Sequence, residues 1–101
     1  NSWGIFSIIY GIIKLCSIGG GKLNKEDEIY VYYLIGQNLK RIRKSKGFTQ
    51  DKLAEASTYS VGFIMNIESS KYTQTFSIGT LWRFAKVLKC DIREFFAPLD
   101  D

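Results

Sequence analysis

The stretch LIGQNLKRIRKSKGFTQDKLAEASTYSVGFIMNIE, residues 34–68, reads as three short amphipathic helices joined by tight turns. In the first, Ile35, Leu39 and Ile42 recur at helical spacing, Lys40, Arg41, Lys44 and Lys46 populate the other faces, and Gly47 supplies the stop. Thr49 is a good N-cap for a second helix of about two turns through Ala56, with Leu53 and Ala54 inward. Ser57, Thr58 and Tyr59 form a turn, and Ser60 caps a third helix whose buried positions are Phe63, Ile64 and Ile67. Two two-turn helices across a tight turn, the second of them capped, have the outline of a helix-turn-helix, though many small helical modules share that periodicity.

Toward the C-terminus, a polar loop leads to Ser77, the expected cap of a fourth helix carrying Ile78, Leu81, Trp82, Ala85 and Leu88. A fifth helix is expected from Asp91 to about Phe96, with Ile92, Phe95 and Phe96, before Pro98. Toward the N-terminus, Asn24 followed by Lys25-Glu26-Asp27-Glu28 has the form of a capped helix start with acids in the first turn. Residues 29–33 (IYVYY) have strand-like content but lead more naturally into the next helix. The fold class is therefore all-α: a five-helix domain over residues 34–97, a tail at 98–101, and an additional N-terminal apolar segment and linker at 1–33.

Residues 3–18 (WGIFSIIYGIIKLCSI) are almost wholly apolar and end at Gly19-Gly20-Gly21. The run is shorter than the roughly 20 residues of a bilayer-spanning helix, contains Lys14, and lacks the basic flank and cleavage site of a secretory signal. Membrane contact is thus the less favoured reading. Packing on the main domain and a dimer contact both stay open.

At 101 residues the chain suits one domain with one modest core. Its net charge is +4, and the basic excess is local, since residues 34–96 carry eleven Lys and Arg against five acids. That pattern suits a polyanionic partner or, more plainly, a solvated helix face. There is no His, and Cys16 and Cys90 stand far apart. Ser-His and Cys-His nucleophilic pairs and the usual zinc spacings are therefore missing, which argues against an enzyme, a metal site or a cofactor. A reduced, cytoplasmic setting is expected.

Residue identities narrow the field. Ile35-Gly36-Gln37-Asn38-Leu39-Lys40-Arg41-Ile42-Arg43, Lys46-Gly47-Phe48-Thr49-Gln50, Leu53-Ala54 and the Ile64…Ile67-Glu68 group strongly resemble, in identity and spacing, the Xre-type (phage repressor and Cro-like) helix-turn-helix family. Residues 76–96 (FSIGTLWRFAKVLKCDIREFF) resemble the last two helices of SinR-like regulators and restriction-modification controller proteins within it.

The resemblance implies sequence-specific binding of double-stranded DNA by a transcriptional regulator, in the repressor sense. Residues 49–56 would cross the backbone and 60–68 would enter the major groove. Val61, Gly62, Phe63 and Asn66 would then be base-proximal, Asn66 through a bidentate contact to adenine and Val61 or Phe63 against a thymine methyl. Phe63 reads equally well as a packing residue. Asn38, Arg41, Lys44, Thr49, Gln50, Tyr59, Ser60, Lys71 and Tyr72 would be phosphate contacts, Gln50 aided by the positive end of its helix. Arg43 and Glu68 would form a structural ion pair between the first helix and the end of the third.

Three positions depart from the family pattern: Thr58 replaces the usual turn Gly, Gly62 lies inside the recognition helix, and Ser70 follows the Ile-Glu pair in place of Gly. Few donors remain at the front of that helix, which shifts expected readout toward DNA shape and apolar contact. The implied assembly is a homodimer on a palindromic operator, paired through Phe95, Phe96 and Leu99; the plainer reading is that these residues complete the monomer core, and both can hold at once. The alternative is an antitoxin or other protein-partner module in which DNA binding is secondary.

Overall fold

The computed structural model describes residues 24–71 and 74–99, and all the described elements are helical. They are α1 (Tyr30–Ser45), α2 (Gln50–Ser57), α3 (Val61–Glu68), α4 (Ile78–Leu88) and a terminal 3-10 helix (Ile92–Phe96). The fold is thus four α-helices and a 3-10 turn, the fifth expected helix being the tighter form. The apolar segment 3–18 and Cys16 lie outside the described residues.

Side-chain oxygens cap three of the starts. Thr49 accepts the N–H of Lys52, Ser60 that of Phe63 and Ser77 that of Thr80. Each satisfies a donor that the first turn leaves unpaired. The 3-10 helix begins with a reciprocal pair: Asp91 accepts from the Arg93 N–H, and Glu94 accepts from the Asp91 N–H. The Arg93 guanidinium closing on the exposed Asp91 carboxylate holds that carboxyl down at about 2. A five-residue element closed at both ends favours the 3-10 form over a regular α-helix.

Helix α1 departs from its expected start. Asn24 does cap a turn, accepting the Glu26 N–H, but residues 24–29 form consecutive turns and regular helix begins at Tyr30. The Tyr-Val-Tyr-Tyr stretch is therefore helical. Tyr32 gains an edge-on contact with Phe76 at 5.2 Å, and tertiary packing of that kind overrides β propensity.

Three helices end alike. After α1, the N–H of Phe48 reaches the carbonyl of Arg43 while that of Gly47 reaches Lys44. Tyr59 and Thr58 repeat the arrangement on Ala54 and Glu55, and Cys90 and Lys89 repeat it on Ala85 and Lys86. Such closures need one left-handed residue, and the positions are Gly47 (φ 77°), Thr58 (φ 61°) and Lys89 (φ 54°).

Leu39, Leu53, Ile64, Leu81, Phe84, Leu88 and Phe95 are fully enclosed and form one core. Truncating one of its phenylalanines to Ala costs roughly 3–5 kcal/mol in comparable sites. Helix α1 packs on α3 and on the 3-10 turn, while α2 packs on α3 and α4. The α1–α3 approach is so close that a Cβ at Gly36 would collide with the carbonyl oxygen of Ile67. Gly36 is required there by space alone.

Two expectations about apolar residues are corrected. Phe95, expected on a dimer surface, is sealed inside the core. Ile78 and Trp82, read with Leu81, Ala85 and Leu88 as the apolar set of the fourth helix, are 76% and 55% exposed. Thr80, Leu81, Phe84, Ala85 and Leu88 form the buried stripe of α4, and residues 78 and 82 lie one turn apart outside it.

Candidate nucleic-acid interface

Two of the capped helices, α2 and α3, meet across Thr58 and Tyr59. The geometry of this turn depends on residues far along the chain. Arg83, on α4, donates to the carbonyl of Ser57 at 3.2 Å and to Thr58 Oγ1 at 3.1 Å, and its guanidinium lies 5.0 Å above the Tyr59 ring. Thr58 Oγ1 in turn donates to the Ser57 carbonyl. A β-branched residue with positive φ is an outlier, and these bonds offset its strain. Arg83 is a positioning residue that sequence reading missed, because its partners lie 25 residues away.

The far end of α3 is fixed by Glu68. Its carboxylate receives two bonds from the Arg43 guanidinium, Nε at 2.7 Å and Nη2 at 2.9 Å, and a third from Gln50 Nε2 at 3.1 Å. Arg43 also donates to the carbonyl of Phe48 at 2.7 Å, and Gln37 Nε2 to the backbone oxygen of Glu68 at 3.1 Å. Both charged side chains are buried. Paired, forked and fully hydrogen-bonded, they meet the conditions under which a buried ion pair is tolerated. The expected Arg43–Glu68 pair is present and extends to α2 through Gln50.

Helix α3 divides cleanly. Ile64, Ile67 and Glu68 are buried, whereas Val61, Gly62 and Met65 are exposed. Nothing lies within 4 Å of a Cβ added at Gly62. Asn66 sits at the margin, half-buried, and no described residue hydrogen-bonds its side-chain amide. Phe63 is turned to the core, its ring 5.1 Å from Tyr59, so the packing reading describes it. Met65 is 52% exposed and was not foreseen, although its place four residues after Val61 on one helix face would have identified it.

The other candidates separate by environment. Asn38 is removed from the surface set: it is fully buried, and its amide donates to the carbonyls of Phe95 at 2.9 Å and Ala97 at 2.8 Å. Its role is to fasten the C-terminal turn to α1. Arg41 joins that cluster, donating to Asn38 Oδ1 at 3.1 Å and to the Glu94 carbonyl at 3.5 Å. Lys44, Thr49, Ser60 and Lys71 are exposed, Thr49 and Ser60 at the starts of α2 and α3. The Tyr59 hydroxyl bonds Thr80 Oγ1 at 2.9 Å, so it already has a partner within the chain. Tyr72 lies outside the described residues.

Among the described residues no group of three or more His, Cys, Asp or Glu could hold a metal ion, and no helix is long and apolar enough to cross a membrane. Cys90 is a free thiol, raised from its ordinary value by burial and by the neighbouring Glu94 charge.

Residues 39–95 match the model of the HTH_3 family, described as helix-turn-helix. The chain is 29% identical over 68 residues to y4dJ, an HTH-type transcriptional regulator of Sinorhizobium fredii, an alignment covering 67% of this chain and 86% of that protein. An HTH_3 family transcriptional regulator from Vibrio cholerae superposes with a TM-score of 0.62 at 28% identity, covering 69% of this chain. The match spans 38% of the Vibrio chain. The restriction-modification controller protein C.AhdI from Aeromonas hydrophila superposes with a TM-score of 0.58 at 26% identity, covering 64% of this chain and 96% of that one.

Proposed function

The chain belongs to the HTH_3 helix-turn-helix family of DNA-binding transcriptional regulators, and from that premise we propose that it acts as a sequence-specific repressor with α3 in the major groove. The observation that carries this reading is the division of α3. One face is locked into the core through Ile64, Ile67 and the Glu68–Arg43 pair, and the other, with Val61, Gly62 and Met65, is exposed. A helix held rigidly by one side and bare on the other is what insertion into a groove requires.

In this arrangement Val61, Gly62, Met65 and Asn66 meet the base edges. Asn66, with its amide uncommitted, supplies the polar contact, and two bonds to adenine N6 and N7 match its geometry. The backbone N–H groups at the starts of α2 and α3 face phosphate, where the helix dipole favours an anion. Gln50, its amide nitrogen oriented by Glu68, stands beside them with Thr49, Ser60, Lys44 and Lys71. These groups position the protein and carry no sequence information of their own.

One such helix reads few base pairs. A homodimer on a palindromic operator, with recognition helices about 34 Å apart, supplies the remainder. Ile78, Trp82 and Phe96, the last 43% exposed, are apolar surface available for the pairing, with Leu99 three residues after Phe96. Such a regulator works in the cytoplasm, where its operator is.

The test is selection of duplexes from a randomised pool, wild type and Asn66→Ala side by side at matched salt. An inverted repeat is expected, one position of each half relaxing in the variant. Failure to enrich any duplex at moderate salt overturns the reading and leaves a protein-partner role in its place.

A further inference from the structure

Ile78 and Trp82, one helical turn apart on α4, are the most exposed large apolar side chains among the described residues, and the buried stripe of α4 uses neither. Scattered apolar residues on a surface are ordinary, but an isoleucine and a tryptophan side by side on one helix face form a patch that gains from a cover. The same chain carries apolar residues in need of one. Residues 3–18 hold six isoleucines, Trp3, Phe6 and Leu15 against a single charge, Lys14. They lie outside the described residues, but the place where the description begins bears on their reach. Turns over residues 24–29 lead into α1, whose Tyr32 rests edge-on against Phe76 at 5.2 Å, two residues ahead of Ile78. The starts of α1 and α4 are therefore neighbours. An extended chain from Ile18 to Asn24 spans about 20 Å, enough for the segment to fold back on α4.

Charge separates this segment from a second copy as the occupant. Residues 78–89 include Arg83, Lys86 and Lys89 and no acid, and the Lys86 ammonium lies 5.9 Å over the Trp82 ring. Two such faces brought together would oppose like charges, whereas a segment with one lysine in sixteen residues adds little repulsion. We propose that residues 3–18 dock in cis on the face of α4 formed by Ile78 and Trp82. The inference goes beyond DNA binding and does not depend on it. Two apolar surfaces then cover each other within one chain, the gain expected of any apolar area withdrawn from water. Pairing between copies is left to Phe96 and Leu99.

The chain has two tryptophans, Trp3 and Trp82, so Trp3→Phe in the full chain keeps the segment apolar and leaves Trp82 as the reporter. Its fluorescence and its quenching by acrylamide are read over a wide range of protein concentration. A blue-shifted emission and weak quenching, both independent of concentration, are expected. Two further proteins carry Trp3→Phe with either Ile8→Lys and Ile12→Lys, which charge the segment, or Ile78→Lys, which charges the face. Each is expected to shift the emission to the red and raise the quenching toward that of the urea-unfolded chain. The far-ultraviolet melt shows that the helical domain is folded in each, and Ile78, on the surface, is not needed by the core. Trp82 emission typical of full exposure in the Trp3→Phe protein at low concentration overturns the proposal. So does burial that appears only as concentration rises, which assigns the face to a second copy. Burial that survives both sets of lysines overturns it as well. None of these outcomes touches the DNA-binding reading, which stands or falls on the duplex selection.

Discussion

Gly62 and Thr58 show how single residues divide between stability and use. Gly62 lies in the interior of α3, where glycine costs about 1 kcal/mol relative to alanine, and no atom lies within reach of an added Cβ. Gly62→Ala is therefore expected to stabilise the free protein by about 1 kcal/mol in thermal or urea unfolding. If α3 approaches base edges as closely as proposed, the same substitution weakens operator binding, so stability and affinity move in opposite directions. Both departures, Gly62 and Thr58, were visible in the sequence because each sets a residue type against a known conformational need. The burial of Asn38 was not visible, since the carbonyls of Phe95 and Ala97 that satisfy it come from the other end of the chain. A polar side chain on a helix defaults to solvent in a sequence reading, and only the fold supplies its partners.

Among the elements, α3 is held through its last residue. Glu68→Ala would leave the Arg43 guanidinium buried without its counter-charge and would also release Gln50 from its carboxylate contact. A loss of about 3–5 kcal/mol is expected on unfolding. The double substitution Arg43→Met with Glu68→Leu should recover much of it, because no charge then remains buried. Chemical denaturation of the two variants beside the wild type checks both statements. Most of the helix starts were legible: Thr49, Ser60 and Ser77 are short polar residues immediately ahead of apolar periodicity, and each caps as expected. The start of α1 was not: Asn24 has the form of its cap, but turns occupy the residues up to Ile29 and regular helix begins at Tyr30, while the helical reading of residues 30–33 holds with contacts such as Tyr32 on Phe76. The terminal helix was placed correctly in the chain; its 3-10 form is a distinction that periodicity over five residues cannot make.

For the molecule as a whole, the surface outside α3 carries the question of assembly. Ile78 and Trp82 protrude from α4, and Phe95, expected to join a dimer contact, is consumed by the core. If pairing uses the α4 surface, Trp82→Glu is expected to shift sedimentation from dimer toward monomer and weaken operator binding without lowering monomer stability, because Trp82 contributes nothing to the core. The sequence could not assign this surface: both apolar faces of α4 have helical spacing, and only the packing shows which one is left outside. The same partition has an evolutionary consequence at α3. Residues 61, 62 and 65 lie outside the core, so they can change with little cost to the domain. A descendant of this chain could then move to a different operator by a few substitutions on one side of an eight-residue helix, each step leaving a folded protein for selection to act on.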